Sequence, residues 1–361
     1  MLFKKTSLQD KIFALLSDAG NDVVLKKLKQ DKRLSFDDKS STLTINLPFY
    51  APLWEAELQQ KNTTKIHKLL GKTLNWDIQH DVIALQSTSA TTSLEKIKNI
   101  IVVASGKGGV GKSTVSVNLA LALAENGANV GILDADIYGP SMPTLLGVKD
   151  AKPSSADGKL MLPIEAHGIV CNSIGFLVAE EDAMIWRGPM ASKALQQVLN
   201  ETDWPELDYL IVDMPPGTGD IQLTMSQNVP VSSAVIVTTP QDVALIDAKK
   251  GVTMFNKVET HISGIIENMS LYTCSQCGHS EAIFGTGGGE KLAEQFDLPF
   301  LGRLPLHINY REDSDQGAPT VSKGEQPTLV EPYLKLAETL AINLYRDLKP
   351  ASQKINIMEL K

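Results

Sequence analysis

The sequence predicts an α/β protein, a mostly parallel sheet wrapped by helices and preceded by a small α+β unit. Three observations predict it. Apolar, β-branched runs recur through residues 98–350 and alternate with helix-patterned segments. The first such run, Ile100 to Ala104, ends in a glycine-rich turn that opens a helix. The stretch before it is patterned differently and is set off by the small, polar segment Gln86 to Ser93.

The elements follow in order. Leu8 to Leu28 carries helical apolar spacing through Ile12, Leu15, Leu16, Val23 and Val24. Leu34 to Leu47 alternates as strand, turn and strand, with Thr42 to Leu47 its clearest segment. Trp54 to Leu70 predicts a helix and Trp76 to Leu85 a strand. These make a small N-terminal α+β domain over 1–85, without cysteine or a catalytic cluster, followed by a linker over 86–97. In residues 98–350 the predicted strands after the first are Asn129 to Leu133, Leu207 to Val212, Ala234 to Val237, Ile262 to Ile266 and Phe300 to Gly302. Between them fall helices over Ala191 to Leu199, Val243 to Val258 and Glu290 to Phe296. A last helix, about Leu329 to Leu348, has Leu334, Leu336, Leu340 and Leu344 to pack back on the sheet. Residues 351–361 read as a tail.

The glycine-rich turn carries the chemistry. Gly106, Gly111, Lys112 and Ser113 satisfy G-x-x-x-x-G-K-[ST] between a strand and a helix. In such a P-loop the segment Gly106, Lys107, Gly108, Gly109, Val110, Gly111, Lys112, Ser113 and Thr114 turns its N–H groups inward around an anion. The helix N-terminus adds partial positive charge. Lys112 reaches the β- and γ-phosphates of ATP, and the Ser113 hydroxyl ligates Mg²⁺. Asp213 follows Tyr209 to Val212 as the aspartate closing a hydrophobic strand, placed to orient a Mg²⁺-bound water. Met214 to Asp220 then suits a switch loop that reorders around the γ-phosphate. Asp134 and Asp136 end a neighbouring strand. Asp136 is the one expected to contact the attacking water or the metal, and Asp134 is equally suited to capping a helix. The second lysine, Lys107, gives K-G-G-V-G-K-S, which resembles the deviant Walker A class of P-loop NTPases. That resemblance implies that Lys107 reaches across a dimer to the partner's phosphates.

Composition narrows the partners. A 43% hydrophobic and 21% charged content is ordinary for a globular chain of 361 residues. The net charge of −8 argues against non-specific nucleic-acid binding. Apolar runs are strand-sized, so no membrane span is expected, and Met1 to Lys5 lacks the apolar core of a signal peptide. Three cysteines without disulfide spacing point to a reducing cytoplasm.

Cys274 and Cys277 form a C-x-x-C in a polar loop, a gap that lets both sulfurs face one metal. Gly278 intervenes before His279, against haem attachment. A structural zinc needs four ligands, and one chain clusters two thiolates plus at best His279. An iron–sulfur cluster or a zinc shared between two chains both satisfy the count. Cys171, within Gly168 to Cys171, reads as a buried inert thiol.

Residues 98–317 resemble the Mrp/ApbC family of iron–sulfur cluster carrier ATPases. The resemblance rests on the P-loop, Leu133 to Ser141, Trp186 to Met190, Asp208 to Gly219, Thr238 to Val243, Glu267 to Ser270 before the C-x-x-C, and Phe284 to Gly288. It implies a homodimer whose Cys274 and Cys277 hold a labile [4Fe–4S] cluster bridging the two subunits. The cluster passes to apo iron–sulfur proteins, with a cluster-assembly scaffold as a further partner. ATP binding and slow hydrolysis are implied too, with Lys107, Lys112 and Asp136 as the catalytic set and Asn268 on the adenine. Arg187 is assigned to the dimer or cluster surface or to a structural ion pair. Three other readings compete. A partition or division ATPase leaves the C-x-x-C unexplained, an electron-transfer ATPase resembling nitrogenase iron protein would carry single well-spaced cysteines, and a zinc-bridged regulatory ATPase has the same ligand types.

Overall fold

The computed structural model describes residues 7–17, 22–85, 94–155, 158–177, 188–219, 222–223, 229–274 and 276–351. Arg187, Trp186, Asp220, residues 86–93 of the expected linker and residues 352–361 of the expected tail lie outside these. In the N-terminal unit, helical spacing over Leu8 to Leu28 resolves into two helices, Leu8–Ser17 (α1) and Asp22–Gln30 (α2). Leu34–Asp37 (β1) pairs antiparallel with Thr42–Leu47 (β2). Pro52–Leu70 (α3) then returns the chain to Asn75–His80 (β3), which lies parallel to β2. The strand expected to reach Leu85 stops at His80, and Leu85 forms only an isolated bridge to Pro350.

The central sheet has eight strands. Ile97–Ala104 (β4), Val130–Asp134 (β5), Ile164–Ala166 (β6), Ile169–Ser173 (β7) and Leu207–Asp213 (β8) come first in the chain. Ser233–Thr238 (β9), Ile262–Glu267 (β10) and Phe300–Arg303 (β13) complete it. The order is β13-β10-β9-β4-β8-β5-β7-β6, all parallel except the edge strand β6. The helices are Lys112–Glu125 (α4), Met142–Leu145 (α5), Gly188–Asn200 (α6), Asp242–Lys257 (α7), Gly288–Gln295 (α8), Ile308–Asp315 (α9), Thr320–Lys323 (α10) and Pro327–Asp347 (α11). Tyr272–Thr273 (β11) and Ser280–Glu281 (β12) form a separate two-stranded hairpin.

Strand periodicity builds the two apolar layers. Along β4, Ile101 and Val103 enter one core with Val115, Leu119 and α11, while Ile100 and Val102 enter the other with Leu195, Val252 and Leu292. A fully buried parallel sheet wants apolar residues on both faces, and β4, β8, β9 and β10 are buried almost throughout. The first core runs without a break into the N-terminal unit, through Phe49, Trp54 and Leu58 to Tyr345. Leu94 and Ile97, within the expected linker, are buried in the second.

Candidate functional site: a phosphate loop and a cysteine hairpin

The parallel strands all end on one edge, where such sheets hold ligands. Register puts Val103 of β4 and Asp134 of β5 both opposite Asp213 of β8. The P-loop leaves β4 there and feeds α4, whose N-cap Gly111 sits at φ 79°. A side chain at Gly111 would also collide with the amide of Asn268, so glycine is required twice over. Gly106 packs against the backbone of α7 at Asp247 and Ala248, leaving no room for a Cβ. Gly108 and Gly109 are exposed, Lys107 and Thr114 half-buried, and Val110 is buried beneath the loop.

Asp213 is fully buried and gathers three donors. The Lys112 ammonium lies 2.7 Å from one carboxylate oxygen, with its side chain only 6% exposed. Ser113 Oγ donates to the other oxygen at 2.7 Å. Ser116, one turn on, donates to the first at 2.5 Å. A carboxylate and a hydroxyl so arranged, beside a glycine-rich loop at the N-terminus of α4, suit a hard divalent cation and a phosphate. Lys112 is turned onto Asp213, so reaching a phosphate means leaving a buried ion pair. Asp136 stands half-buried at the end of β5; burial raises its carboxyl above the ordinary range, Lys112 nearby lowers it, and Asp213 raises it further. Asp134 is a cap. It accepts from the N–H groups of Asp136, Ser141 and Met142 and from Ser173 Oγ, which starts α5. Burial and the charge of Asp213 push it up to about 7.

Asn268 joins the P-loop from the far side. Its Nδ2 donates to the Val110 carbonyl at 2.8 Å. Sequence reasoning missed Ser116 and Glu267. Ser116 lies three residues after Ser113 on a helix, a spacing that shares a face. Glu267 is a lone acid closing the buried strand I-S-G-I-I, which asks for a partner.

The cysteines are elsewhere. Cys274 and Cys277 sit between β11 and β12, where Cys274 N–H donates to the His279 carbonyl and Gly278 N–H to the Cys274 carbonyl. Gly278 takes φ 70° to close the turn. The Cys274 sulfur faces the N–H groups of Cys277 and Gln276 and the Cys277 thiol, which together hold it below the ordinary thiol range. Both side chains reach solvent, whereas Cys171 is buried and pushed up to about 12. Among the described residues no third histidine, cysteine or carboxylate completes a ligand set around any pair, His279 included. The structure thus brings together the P-loop, Asp213, Asp136 and Asn268, and places the cysteine pair on a separate projection. No described helix is long and apolar enough to cross a membrane.

Comparison with known proteins agrees with the resemblance drawn from the sequence. A family model described as ParA: NUBPL iron-transfer P-loop NTPase matches residues 96–341. The iron–sulfur cluster carrier protein of Escherichia coli K12 is 53% identical over 325 residues, covering 89% of this chain and 87% of that one. The mouse iron–sulfur cluster transfer protein NUBPL is 49% identical over 253 residues, covering 70% of this chain and 79% of its own. Among solved structures, a nucleotide-binding protein in complex with ADP from Archaeoglobus fulgidus superposes with a TM-score of 0.57 at 38% identity. It covers 65% of this chain and 91% of that one. The septum site-determining protein MinD of Pyrococcus horikoshii, with Mg-ADP, gives 0.52 at 24% identity over 66% of this chain and 94% of its own, a likeness of fold.

Proposed function

This chain belongs to the iron–sulfur cluster carrier family of P-loop NTPases, and on that footing we propose that two copies share one [4Fe–4S] cluster as cargo. Cys274 and Cys277 of each copy supply its four thiolates, and the dimer delivers it to apo iron–sulfur proteins after loading from an assembly scaffold. The observation that carries this is the isolated cysteine pair. It is exposed, has N–H donors that favour the thiolate, and is two ligands short of a closed site within the described chain. A second copy supplies the missing two.

The same edge of the sheet is fit to meet a second copy. Tyr138, Leu177, Val243, Leu271, Ile283 and Ile308 are large apolar residues left exposed, and each follows the carboxyl end of a strand or of the cysteine hairpin. A two-fold axis through this edge sets the P-loops and the hairpins on one interface, with Lys107 within reach of the partner's phosphates. In this reading ATP sits on the P-loop with its adenine at Asn268. Ser113 and Asp213 would hold Mg²⁺, which supplies charge neutralisation at the β- and γ-phosphates. Lys112 leaves Asp213 for the phosphates, and Asp136, its carboxyl raised by burial, accepts a hydrogen bond from the attacking water. Hydrolysis is slow, on the order of one turnover per minute or less without a client, as for unstimulated P-loop enzymes. Exposed, readily oxidised thiols fit the reducing setting of a cytoplasm.

The test is Cys274→Ala and Cys277→Ala in protein reconstituted with iron and sulfide. Each variant should lose bound iron and still bind ATP, because no described contact joins the hairpin thiols directly to the P-loop. Full iron occupancy in either variant overturns the assignment.

A further inference from the structure

The cysteine hairpin is not an independent appendage. It belongs to the segment 269–286, an excursion between the end of β10 and the start of α8, and both ends of that excursion are held by one side chain. Glu267 is fully buried. Its Oε1 accepts from Gly287 N–H at 3.1 Å and its Oε2 from Gly289 N–H at 2.7 Å. The Arg303 guanidinium lies 3.4 Å from Oε1 and pairs with Glu290 as well. A Cβ at Gly289 would stand 3.0 Å from that of Glu267, so any side chain there would press on the carboxylate's stem. One carboxylate therefore closes the neck of the loop that carries Cys274 and Cys277.

The next two residues touch the P-loop. Asn268 Nδ2 donates to the Val110 carbonyl. Met269 takes φ 58°, a left-handed conformation that costs a side-chain-bearing residue about 1 kcal/mol or more, and its methyl group packs against Gly111. Beyond it, Ser270 N–H donates to the Leu304 carbonyl and Leu306 N–H to the Leu271 carbonyl, so the path to Cys274 is strapped to the residues after β13. Any shift of Val110 and Gly111 would be passed through these contacts to residues 268 and 269. Glu267 fixes the other side of the same loop.

We propose that Glu267 is a positioning residue for the cysteine pair, anchoring the neck against which P-loop movement at Asn268 and Met269 turns the hairpin. This rests on the carrier reading above and names its regulatory link. Nucleotide state then changes how tightly the thiolates hold iron, without the nucleotide touching them. Glu267 binds neither nucleotide nor iron. Glu267→Gln keeps the shape but puts an amide N–H₂ against a backbone N–H, so one neck contact is lost.

The experiment uses the full-length reconstituted dimer and measures the rate at which a ferrous chelator extracts iron, with and without a non-hydrolysable ATP analogue. Wild type should show a nucleotide-dependent change of about 5-fold or more, the usual scale of coupling between sites. Glu267→Gln should keep its iron content, and its iron-free form the wild-type analogue affinity, while that ratio falls to within about 2-fold of unity. Arg303→Gln, which removes a half-exposed cation and leaves buried packing alone, should move the ratio the same way by less. It serves as the test if Glu267→Gln does not fold. A Glu267→Gln protein that extracts faster overall but keeps the wild-type ratio overturns the proposal. So does a wild type whose ratio is one. Absence of bound iron from wild type counts instead against the carrier reading.

Discussion

Asp213 is fully buried, and the Lys112 ammonium beside it is nearly so, with Ser113 and Ser116 donating to the same carboxylate. A buried charge left without its partner is costly, so Lys112 has a structural duty in the nucleotide-free protein beyond the phosphate role proposed for it. Lys112→Met should therefore abolish hydrolysis and also destabilise the apoprotein by about 3 kcal/mol, the lower end for breaking a buried pair because two hydroxyls remain. Urea unfolding measures it, and Lys112→Met combined with Asp213→Asn should recover part of the loss. An unchanged unfolding midpoint in the single variant contradicts the reading. The cysteines are distinguished in the same way by surroundings. N–H groups of Cys277 and Gln276 hold the Cys274 thiol below its ordinary range, whereas burial raises that of Cys171. The reactive thiolate thus forms at Cys274 at lower pH. Alkylation of apoprotein by iodoacetamide, followed by mass spectrometry across pH, should show Cys274 levelling off below the midpoint of a free thiol. Cys171 should stay unlabelled until the chain unfolds. A Cys274 rate still rising well above pH 9 refutes it.

Two helices, α3 and α11, end against charged side chains from other helices. The N-cap of α3, Ala51, offers no side-chain acceptor, and Glu338 from α11 accepts instead from the N–H groups of Leu53 and Trp54. In return Lys27 of α2 donates to the carbonyls of Tyr345 and Leu348 at the end of α11, and Tyr345 OH donates to Asp31. Each charge meets the helix end whose dipole it complements. Removing either cap by Glu338→Ala or Lys27→Met should cost about 1 to 2 kcal/mol, read as a drop in Tm. No drop in either would mean that the N-terminal unit is held by apolar contact alone. These contacts explain where sequence reading stopped. The strands β4, β8, β9 and β10 and the helix α4 were legible because apolar period and the glycine turn are local signals. The edge strand β6 and its neighbour β7 were not, since Gly168 to Cys171 gives only a short apolar run. Glu338 and Lys27 read locally as exposed charges on amphipathic helices. Their partners lie about 300 residues away in the chain.

At the scale of the molecule, one sheet edge carries both the phosphate site and the excursion that bears the thiols, and its rim is lined with exposed apolar residues. The loop's place between β4 and α4 was readable almost residue by residue, because G-x-x-x-x-G-K-S carries its own turn geometry. The cysteine pair was readable as a pair, and its tie to the P-loop through Glu267, Asn268 and Met269 needed the fold. The N-terminal unit shares a continuous core with one face of the sheet. The central claim is that the cargo site is complete only between two copies. Iron and acid-labile sulfide should be counted on anaerobically reconstituted protein whose mass is fixed by light scattering at the same elution volume. The account predicts a dimer with about two irons per chain, one cubane for two chains. About four irons per chain, or a monomer that retains its cluster, would contradict it.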